Sequence, residues 1–311
     1  MVYFFYGDNT FAAKSKIREL IERYRSAVDN PDFGLYRFDS DSDPSEVVTA
    51  LTSQPMFADS SLVVIENASD NSRLRDAILD NAGRIPEKTV AVIYEEHIDK
   101  RSRWYKYLSE HANTKEFSEK SERQLLQWIE SQARHRELDI GKGTARFLLD
   151  WAGGDQWRLD KELDKLKGVD RANEDTIRQL ISPSPKRTIF ELLDAMGTGK
   201  TQQAIECFDD LRAQNIHELE ILTMISWQVR NLIIVASESG MSDREIASKH
   251  KMNPYVVSKS RKITRRMRFD ALVNVYKTVI ALDYQMKTTH HIEPRTLLEQ
   301  AVVDIGELSK V

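Results

Sequence analysis

The chain has 311 residues, of which 41% are hydrophobic and 30% charged, a composition typical of a soluble globular protein with two or three domains. Its formal net charge of -4 argues against a nucleic-acid-binding surface that covers the whole chain. The single cysteine, Cys207, excludes a disulfide framework within the chain and is expected to be a small buried residue on a helix. No apolar run has the length of a membrane span, and residues 1–6 lack the features of a signal peptide, so a cytoplasmic location is predicted.

From residue 1 to about residue 118, short apolar runs alternate with segments of helix length. Four runs have the pattern of strands: residues 3–6, 34–38, 62–65 and 90–94. Three segments between them have the pattern of helices: residues 12–24, 45–51 and 72–81. This alternation predicts an α/β domain with a parallel sheet and helical crossovers.

Strand patterns end at about residue 118, and the rest of the chain has the apolar spacing of helices. Pro183 and Pro185 interrupt this part with a proline and serine segment that a helix does not cross easily. We therefore predict an α/β plus all-α fold with three domains, at residues 1–118, 119–183 and 184–311. The second is a small helical domain and the third is a helical bundle.

In a nucleotide-binding α/β domain, the turn after the first strand holds phosphate. Here that turn is GDNTFAAK at residues 7–14, with one glycine and no Gly-Lys-Thr sequence. Asp8 would repel a phosphate, and Asp8 or Thr10 is expected to cap the following helix. Glu95 and Glu96 follow the fourth strand as metal-holding acids do, but without a phosphate loop we interpret them as exposed structural acids.

An apolar pair, Met56 and Phe57, interrupts the polar connector that precedes the third strand. The connector continues as Ala-Asp-Ser-Ser before the apolar strand residues 62–65 begin. A large apolar pair on such a loop either folds back over the domain's own core or enters a pocket on a partner protein. The residues alone leave both interpretations open.

Residues 197–201, GTGKT, match the end of a phosphate-binding loop. However, Asp194 occupies the position of that motif's first glycine, and the apolar residues before it have helical spacing. We interpret Gly197 and Gly199 as a helix end and a turn, with Thr201 starting the next helix. An ATPase that uses Lys200 is an alternative that the broken motif disfavours.

Residues 242–250 and 254–260 have the pattern of a helix-turn-helix, and a basic run follows them. The candidate DNA contacts are Lys259, Arg261, Lys262 and Arg265. A helix-turn-helix DNA-binding regulatory protein is therefore the alternative function. Against it, Pro254 stands where the second helix begins, and short helix pairs with charged faces are common in bundles.

His290 and His291 are adjacent, so on a helix they would point about 100° apart and could not bind one metal ion together. The other histidines are scattered along the chain. We therefore expect no catalytic centre, no metal site and no cofactor.

Five segments in this order resemble the delta-subunit family of the bacterial DNA polymerase III clamp loader. They are YFFYGDNTF at residues 3–11, SQPMF at 53–57, LVVIEN at 62–67, GGDQWRLDKELDKL at 153–166 and IFELLDAMGTGK at 189–200. The resemblance extends over essentially the whole chain. It implies an AAA+-like first domain without a phosphate loop, a helical lid domain, and a helical collar through which loader subunits assemble.

The resemblance also implies a binding site. In that family a hydrophobic pair in this connector, usually Leu-Phe, contacts the ring-shaped sliding clamp. The matching residues here are Met56 and Phe57, with Gln54 and Pro55 beside them. Methionine has a volume similar to that of leucine, whereas Gln54 lies one residue nearer the pair than the glutamine that opens many clamp-binding peptides.

The implied partners are the sliding clamp (beta subunit), the motor subunits gamma or tau, the delta-prime subunit, and primed DNA through the complex. The motor subunits would bind and hydrolyse ATP. The chain itself would open the clamp for loading during replication, as a part of the DNA polymerase III holoenzyme that has no catalysis of its own.

Overall fold

In this computed structural model the described residues are 1–55, 58–169, 171–266, 268–288 and 292–308. The chain forms two compact units, Met1–Glu119 and Lys120–Val311. The first is α/β and the second is helical, so the predicted fold class is confirmed. The further division of the second unit at residues 183 and 184 stays a prediction.

The first unit is built on a parallel sheet with the strand order β2-β3-β4-β1-β5. Its strands in the described residues are β1 Val2–Tyr6, β2 Leu35–Phe38, β3 Ser61–Glu66, β4 Thr89–Glu95 and β5 Asn113–Glu116. Four of them were predicted. The fifth, β5, was missed because its sequence Asn-Thr-Lys-Glu has no apolar residue and all four side chains are exposed at the sheet edge.

Helices cover both faces of this sheet. They are α1 Thr10–Ala27, α2 Pro44–Thr52, α3 Ser72–Asn81 and α4 Arg103–His111. Successive strand residues point to opposite faces, so Phe4 packs with α2, α3 and α4, whereas Phe5 packs with α1. Asn9 caps α1 by accepting a hydrogen bond from the backbone N–H of Ala12, so the prediction of Asp8 or Thr10 as the cap was wrong.

Glu95, the last residue of β4, is fully buried. Its carboxylate accepts hydrogen bonds from the backbone N–H of Ser69 at 3.1 Å, from the Ser69 hydroxyl at 2.6 Å and from the indole N–H of Trp104 at 2.9 Å. Burial raises the pKa of Glu95 above its ordinary value, although these hydrogen bonds act in the opposite direction. The acid is therefore structural, as expected, but the prediction that it is exposed was wrong.

The second unit is helical throughout its described elements. They are α5 Glu122–His135, α6 Lys142–Ala152, α7 Gln156–Lys165, α8 Glu174–Leu180, α9 Pro185–Gly197, α10 Thr201–Ala213, α11 Glu218–Ser237, α12 Asp243–His250, α13 Pro254–Thr264, α14 Phe269–Thr288 and α15 Pro294–Leu308. One apolar cluster joins α5 to α8, and another joins α9, α10, α11, α14 and α15. Tyr255 of α13 enters the first cluster, where its buried hydroxyl donates to the carbonyl of Leu149 at 3.1 Å.

The helix α11 is long and apolar enough to cross a membrane by length and composition alone, which was not expected from the sequence. One face of the helix, including Leu222, Val229 and Leu232, is buried in the cluster that it shares with α9, α10, α14 and α15, whereas Leu219 and Trp227 are exposed. Two buried residues, Gln228 and Asn231, are polar. This pattern is that of a core helix in a helical domain.

Removing the Glu95 carboxylate tests its structural role. Glu95→Ala leaves the Trp104 indole and the Ser69 N–H without their acceptor, so the free energy of unfolding should fall by about 2–4 kcal/mol. Glu95→Gln keeps an acceptor and the side-chain volume, and its loss at neutral pH should stay within about 1 kcal/mol. Denaturant unfolding of the three proteins measures both differences.

The pH dependence of stability separates the wild type from both substitutions, because neither variant has the titrating carboxyl. The pKa of Glu95 is raised by folding, so the native state binds its proton more tightly than the unfolded chain. The contribution of this proton to stability is complete below the ordinary value of 4.5 and is lost as the pH rises through the raised pKa. Glu95→Gln should lack this slope, and an identical slope in the wild type and Glu95→Gln would contradict the assignment.

Candidate functional site

The turn after β1, where a nucleotide-binding domain would hold phosphate, has its backbone donors occupied. The N–H of Gly7 donates to the carbonyl of Glu95 at 3.0 Å, and the N–H of Asn9 donates to the carbonyl of Phe117 at 3.0 Å. Gly7 has φ +122°, and a Cβ at this position would lie 2.4 Å from the Phe117 oxygen. Protein oxygens therefore fill the place where a phosphate would need N–H groups.

The GTGKT sequence does not form a phosphate loop either. The helix α9 ends at Gly197, Gly199 has φ +70°, and α10 starts at Thr201. A helix precedes the motif where a phosphate loop needs a strand. The interpretation as a helix end, a turn and a new helix is confirmed.

The connector between α2 and β3, residues 53–60, is held firmly where it leaves the helix. The N–H of Ser53 donates to the carbonyl of Thr49 at 2.9 Å and ends α2. Gln54 is exposed and Pro55 is half-buried. Met56 and Phe57, the predicted clamp-binding pair, lie outside the described residues.

The connector is held again where it enters β3. The carbonyl of Ser60 accepts a hydrogen bond from the Tyr24 hydroxyl at 2.9 Å. The N–H of Ser61 donates to the carbonyl of Lys88 at 3.0 Å, and its buried hydroxyl donates to that of Thr89 at 3.0 Å. These bonds fix both the start and the end of the segment that carries the apolar pair.

Gly34, just before β2, allows this end of the connector to pack closely. A Cβ on Gly34 would lie 2.3 Å from the Tyr24 hydroxyl, 2.6 Å from the Ser60 carbonyl oxygen and 3.3 Å from the Ala58 Cβ. Its own carbonyl accepts from the N–H of Leu62 at 2.8 Å. We did not predict this role from the sequence, although a lone glycine in a strand is a known sign of close backbone approach.

A groove opens beside the connector, between α2 and the edge strand β2. Its volume is about 400 Å³, and Tyr36 and Phe38 form one wall with nearly parallel rings whose centroids lie 6.4 Å apart. Ala50 of α2 lies opposite, and Gln54 and Pro55 of the connector also line the groove. We call this feature the aromatic groove; the sequence analysis missed it.

The four candidate DNA contacts differ in their burial and in the groups with which they pair. The Lys259 ammonium pairs with Asp150 at 2.9 Å, and the Arg261 guanidinium pairs with Asp243 and donates to the carbonyl of Met241 at 2.6 Å. Both side chains are largely buried. Of the other two residues, Lys262 lies 3.5 Å from Glu122, and Arg265 is exposed.

The helix pair α12 and α13 has the spacing of a helix-turn-helix, but α13 is not free to enter a DNA groove. Tyr255, Val257 and Ser260 are buried, and α13 packs against α5 and α11. The buried hydroxyl of Ser260 accepts a hydrogen bond from the side-chain amide of Gln228 in α11 at 3.3 Å. This arrangement favours a structural role for α13 over that of a recognition helix.

Chemistry that depends on metal or thiol groups finds no support in the part of the chain that the structure describes. No group of three or more histidine, cysteine or acidic side chains there has the arrangement of a metal site. His290 and His291 lie outside the described residues. Cys207 is buried, and burial raises the pKa of its thiol to about 11, as expected for an unreactive core cysteine.

Comparisons with known proteins agree over most of the chain. The family model for the DNA polymerase III delta subunit matches residues 3–118, and that for the C-terminal domain of the same subunit matches residues 186–305. A DNA polymerase III subunit delta of Bacillus subtilis is 25% identical over 308 residues, which cover 92% of this chain and 88% of that protein. The solved structure of the Bacillus subtilis DNA clamp loader delta protein has a TM-score of 0.73 and 25% identity, and the match covers 98% of this chain and 95% of that one.

Gly34→Ala tests whether close packing fixes the connector. The added methyl group would meet the Tyr24 hydroxyl and the Ser60 carbonyl, so the free energy of unfolding should fall by about 1–3 kcal/mol. Gly83→Ala is the matched control, because a Cβ there meets nothing within 4 Å. Thermal unfolding of both variants measures the difference, and equal melting temperatures would show that the Gly34 contact does not constrain the connector.

Proposed function

Because the chain belongs to the delta-subunit family of the DNA polymerase III clamp loader, we propose that it binds the sliding clamp and promotes opening of the ring for loading onto primed DNA. The observation that carries this proposal is the connector of residues 53–60, which is fixed at both ends. A segment held at both ends before binding loses less conformational entropy when a partner closes over it.

Met56 and Phe57 are the proposed anchor of the clamp interaction. A few large apolar side chains that fill a pocket usually carry most of the energy of a protein interface. Gln54 is exposed at the start of the same segment and can contact the rim of such a pocket, with Pro55 between it and the pair. The surrounding hydrogen bonds of Ser60 and Ser61 support a fixed presentation of this segment.

Ring opening follows from differential affinity. A protein shifts an equilibrium between two states of its partner only as far as it binds one of them more tightly. The delta subunit would therefore bind the clamp with an opened subunit interface better than it binds the closed ring. No chemical step by this chain is needed for that effect.

ATP hydrolysis is assigned to the partners. In the turn after β1 the N–H groups of Gly7 and Asn9 already donate to the carbonyls of Glu95 and Phe117. This supports the proposal that the chain binds no nucleotide itself.

The proposed partners are the beta clamp, the gamma or tau motor subunits and delta-prime, in the cytoplasm. The proposed domains are residues 1–118 for clamp binding, 119–183 as a lid and 184–311 as a collar. The division between the last two is supported by the two apolar clusters, of α5–α8 and of α9, α10, α11, α14 and α15, although Tyr255 of α13 packs into the first.

The clamp-binding proposal predicts the effect of truncating the pair. Met56→Ala/Phe57→Ala should weaken binding of the purified clamp about 100-fold or more, because two anchor residues are removed. Gln54→Ala should have a much smaller effect. Ile280→Ala/Tyr284→Ala, which truncates two exposed apolar residues of α14, is the matched control and should bind as the wild type does. Surface plasmon resonance measures all four, and unchanged binding by the pair variant would refute the assignment.

For direct DNA contact we propose Arg265 with its neighbour Arg266, both exposed after α13. Lys259 and Arg261 are less suitable, because their charges already meet Asp150 and Asp243. Lys262 has a weaker intramolecular partner and could assist.

Arg265→Gln/Arg266→Gln should weaken binding of primed DNA and lower the slope of log affinity against log salt by about 1 for each phosphate that the variant no longer neutralises. Arg123→Gln/Arg134→Gln changes the net charge equally on exposed residues of α5 and serves as the control. Fluorescence anisotropy over a range of salt concentrations gives the slopes. If the two variants share one slope, the assignment to Arg265 and Arg266 is wrong.

A further inference from the structure

We propose that the aromatic groove, together with the exposed ring of Phe33, is a second part of the surface that binds the sliding clamp. The inference rests on the proposed function and adds residues to it that the connector sequence does not contain. It follows from the exposure of these rings, from their continuity with the connector, and from the area that a stable interface requires.

Exposure of large apolar side chains in the first unit is concentrated at this place. Phe33 is 60% exposed and Tyr36 is 36% exposed, and the only other exposed large hydrophobic residue described in Met1–Glu119 is Met1. Scattered surface apolar residues need no explanation, but Tyr36 lines the groove and its hydroxyl bonds to the backbone of Phe33, so the two exposed residues belong to one patch. Such a patch on a soluble protein commonly marks a binding surface.

The patch is continuous with the connector on both of its sides. Gln54 and Pro55 line the same groove as Tyr36 and Phe38. At the other end, Gly34 lies against Ala58 and Ser60, next to Phe33 in sequence. Three peptide units join Pro55 to Ala58, so the Cα atoms of these two residues lie at most about 10 Å apart. A partner that covers the apolar pair therefore lies over or beside the groove.

The surface area that a stable interface buries gives a second reason to include the aromatic groove. A stable protein interface buries about 800 Å² on each partner. A fully buried phenylalanine contributes about 150–250 Å² and the smaller methionine no more than that, so Met56 and Phe57 together supply at most about half of what is required. The rest must come from the neighbouring surface, and the neighbouring apolar surface is the aromatic groove. The clamp is thus the occupant that the position of the groove favours.

The ring of Tyr36 is held in place although it is partly exposed. The Tyr36 hydroxyl donates to the carbonyl of Phe33 at 3.3 Å, and its ring stacks over that of Phe38. Fixed aromatic rings provide contact area at low cost in side-chain entropy. The rings, rather than the hydroxyl, are therefore expected to carry the interaction.

Clamp binding by the full chain tests this proposal. Phe33→Ser/Tyr36→Ser should weaken binding about tenfold, because both exposed rings are removed. Tyr284→Ser, which removes an exposed ring of α14, is the matched control and should bind normally. Because the substituted rings are exposed, melting temperatures should stay close to that of the wild type, which shows that the variants fold.

The outcomes separate this proposal from the proposed function. If Phe33→Ser/Tyr36→Ser binds as the wild type does while Met56→Ala/Phe57→Ala does not, the groove proposal is wrong and clamp binding through the pair stands. If the groove variant loses binding and the pair variant keeps it, the groove stands and the pair assignment fails. If the wild type does not bind the clamp, both fail. A change of self-association in the groove variant, seen by sedimentation, would assign the groove to a second copy of the chain and overturn the proposal.

Discussion

The hydrogen bond from the N–H of Asn9 to the carbonyl of Phe117 is the constraint on which the first unit depends. It joins the turn after β1 to the chain that leaves β5, and the side-chain amide of Asn9 adds a second bond to the Ser118 carbonyl at 3.2 Å. These bonds hold a polar, exposed edge strand that has no apolar side chain to pack. They also use the donors that a phosphate would require, so the same contact completes the sheet and closes the nucleotide position.

The closed phosphate position and the connector therefore lie at opposite ends of the strands in the same sheet. In a parallel sheet, the turn after β1 lies at the carboxyl ends of the strands, whereas the connector enters β3 at the amino ends. The six residues of β3 span about 20 Å, so closing the first site leaves the second untouched. The bonds of Ser60 and Ser61, and the close approach at Gly34, order the connector end in its own right. A domain with the architecture of a nucleotide-binding fold can thus hold a protein-binding segment in place without binding a nucleotide.

The sequence predicted what depends on apolar periodicity and missed what depends on distant partners. β1 to β4 were found because each contains a run of apolar or aromatic residues, and β5 was not because Asn-Thr-Lys-Glu carries no such pattern. The burial of Glu95 depends on Ser69 and Trp104, and the pairing of Lys259 depends on Asp150, which is 109 positions away. The role of Gly34 depends on Tyr24 and Ser60 in the same way. No local pattern contains this information, and the broken GTGKT motif was interpreted correctly because its helical context is local.

We infer that this delta-family subunit recognises the clamp through a connector whose two ends are held by hydrogen bonds without nucleotide. Isothermal titration of the full chain with purified sliding clamp, with and without magnesium and ATP, tests it most directly. We expect saturable binding with the same dissociation constant and enthalpy in both conditions, because the N–H groups of Gly7 and Asn9 in the turn after β1 already donate to protein carbonyls. Binding that appears only with ATP, or an affinity that changes with it, would contradict the account.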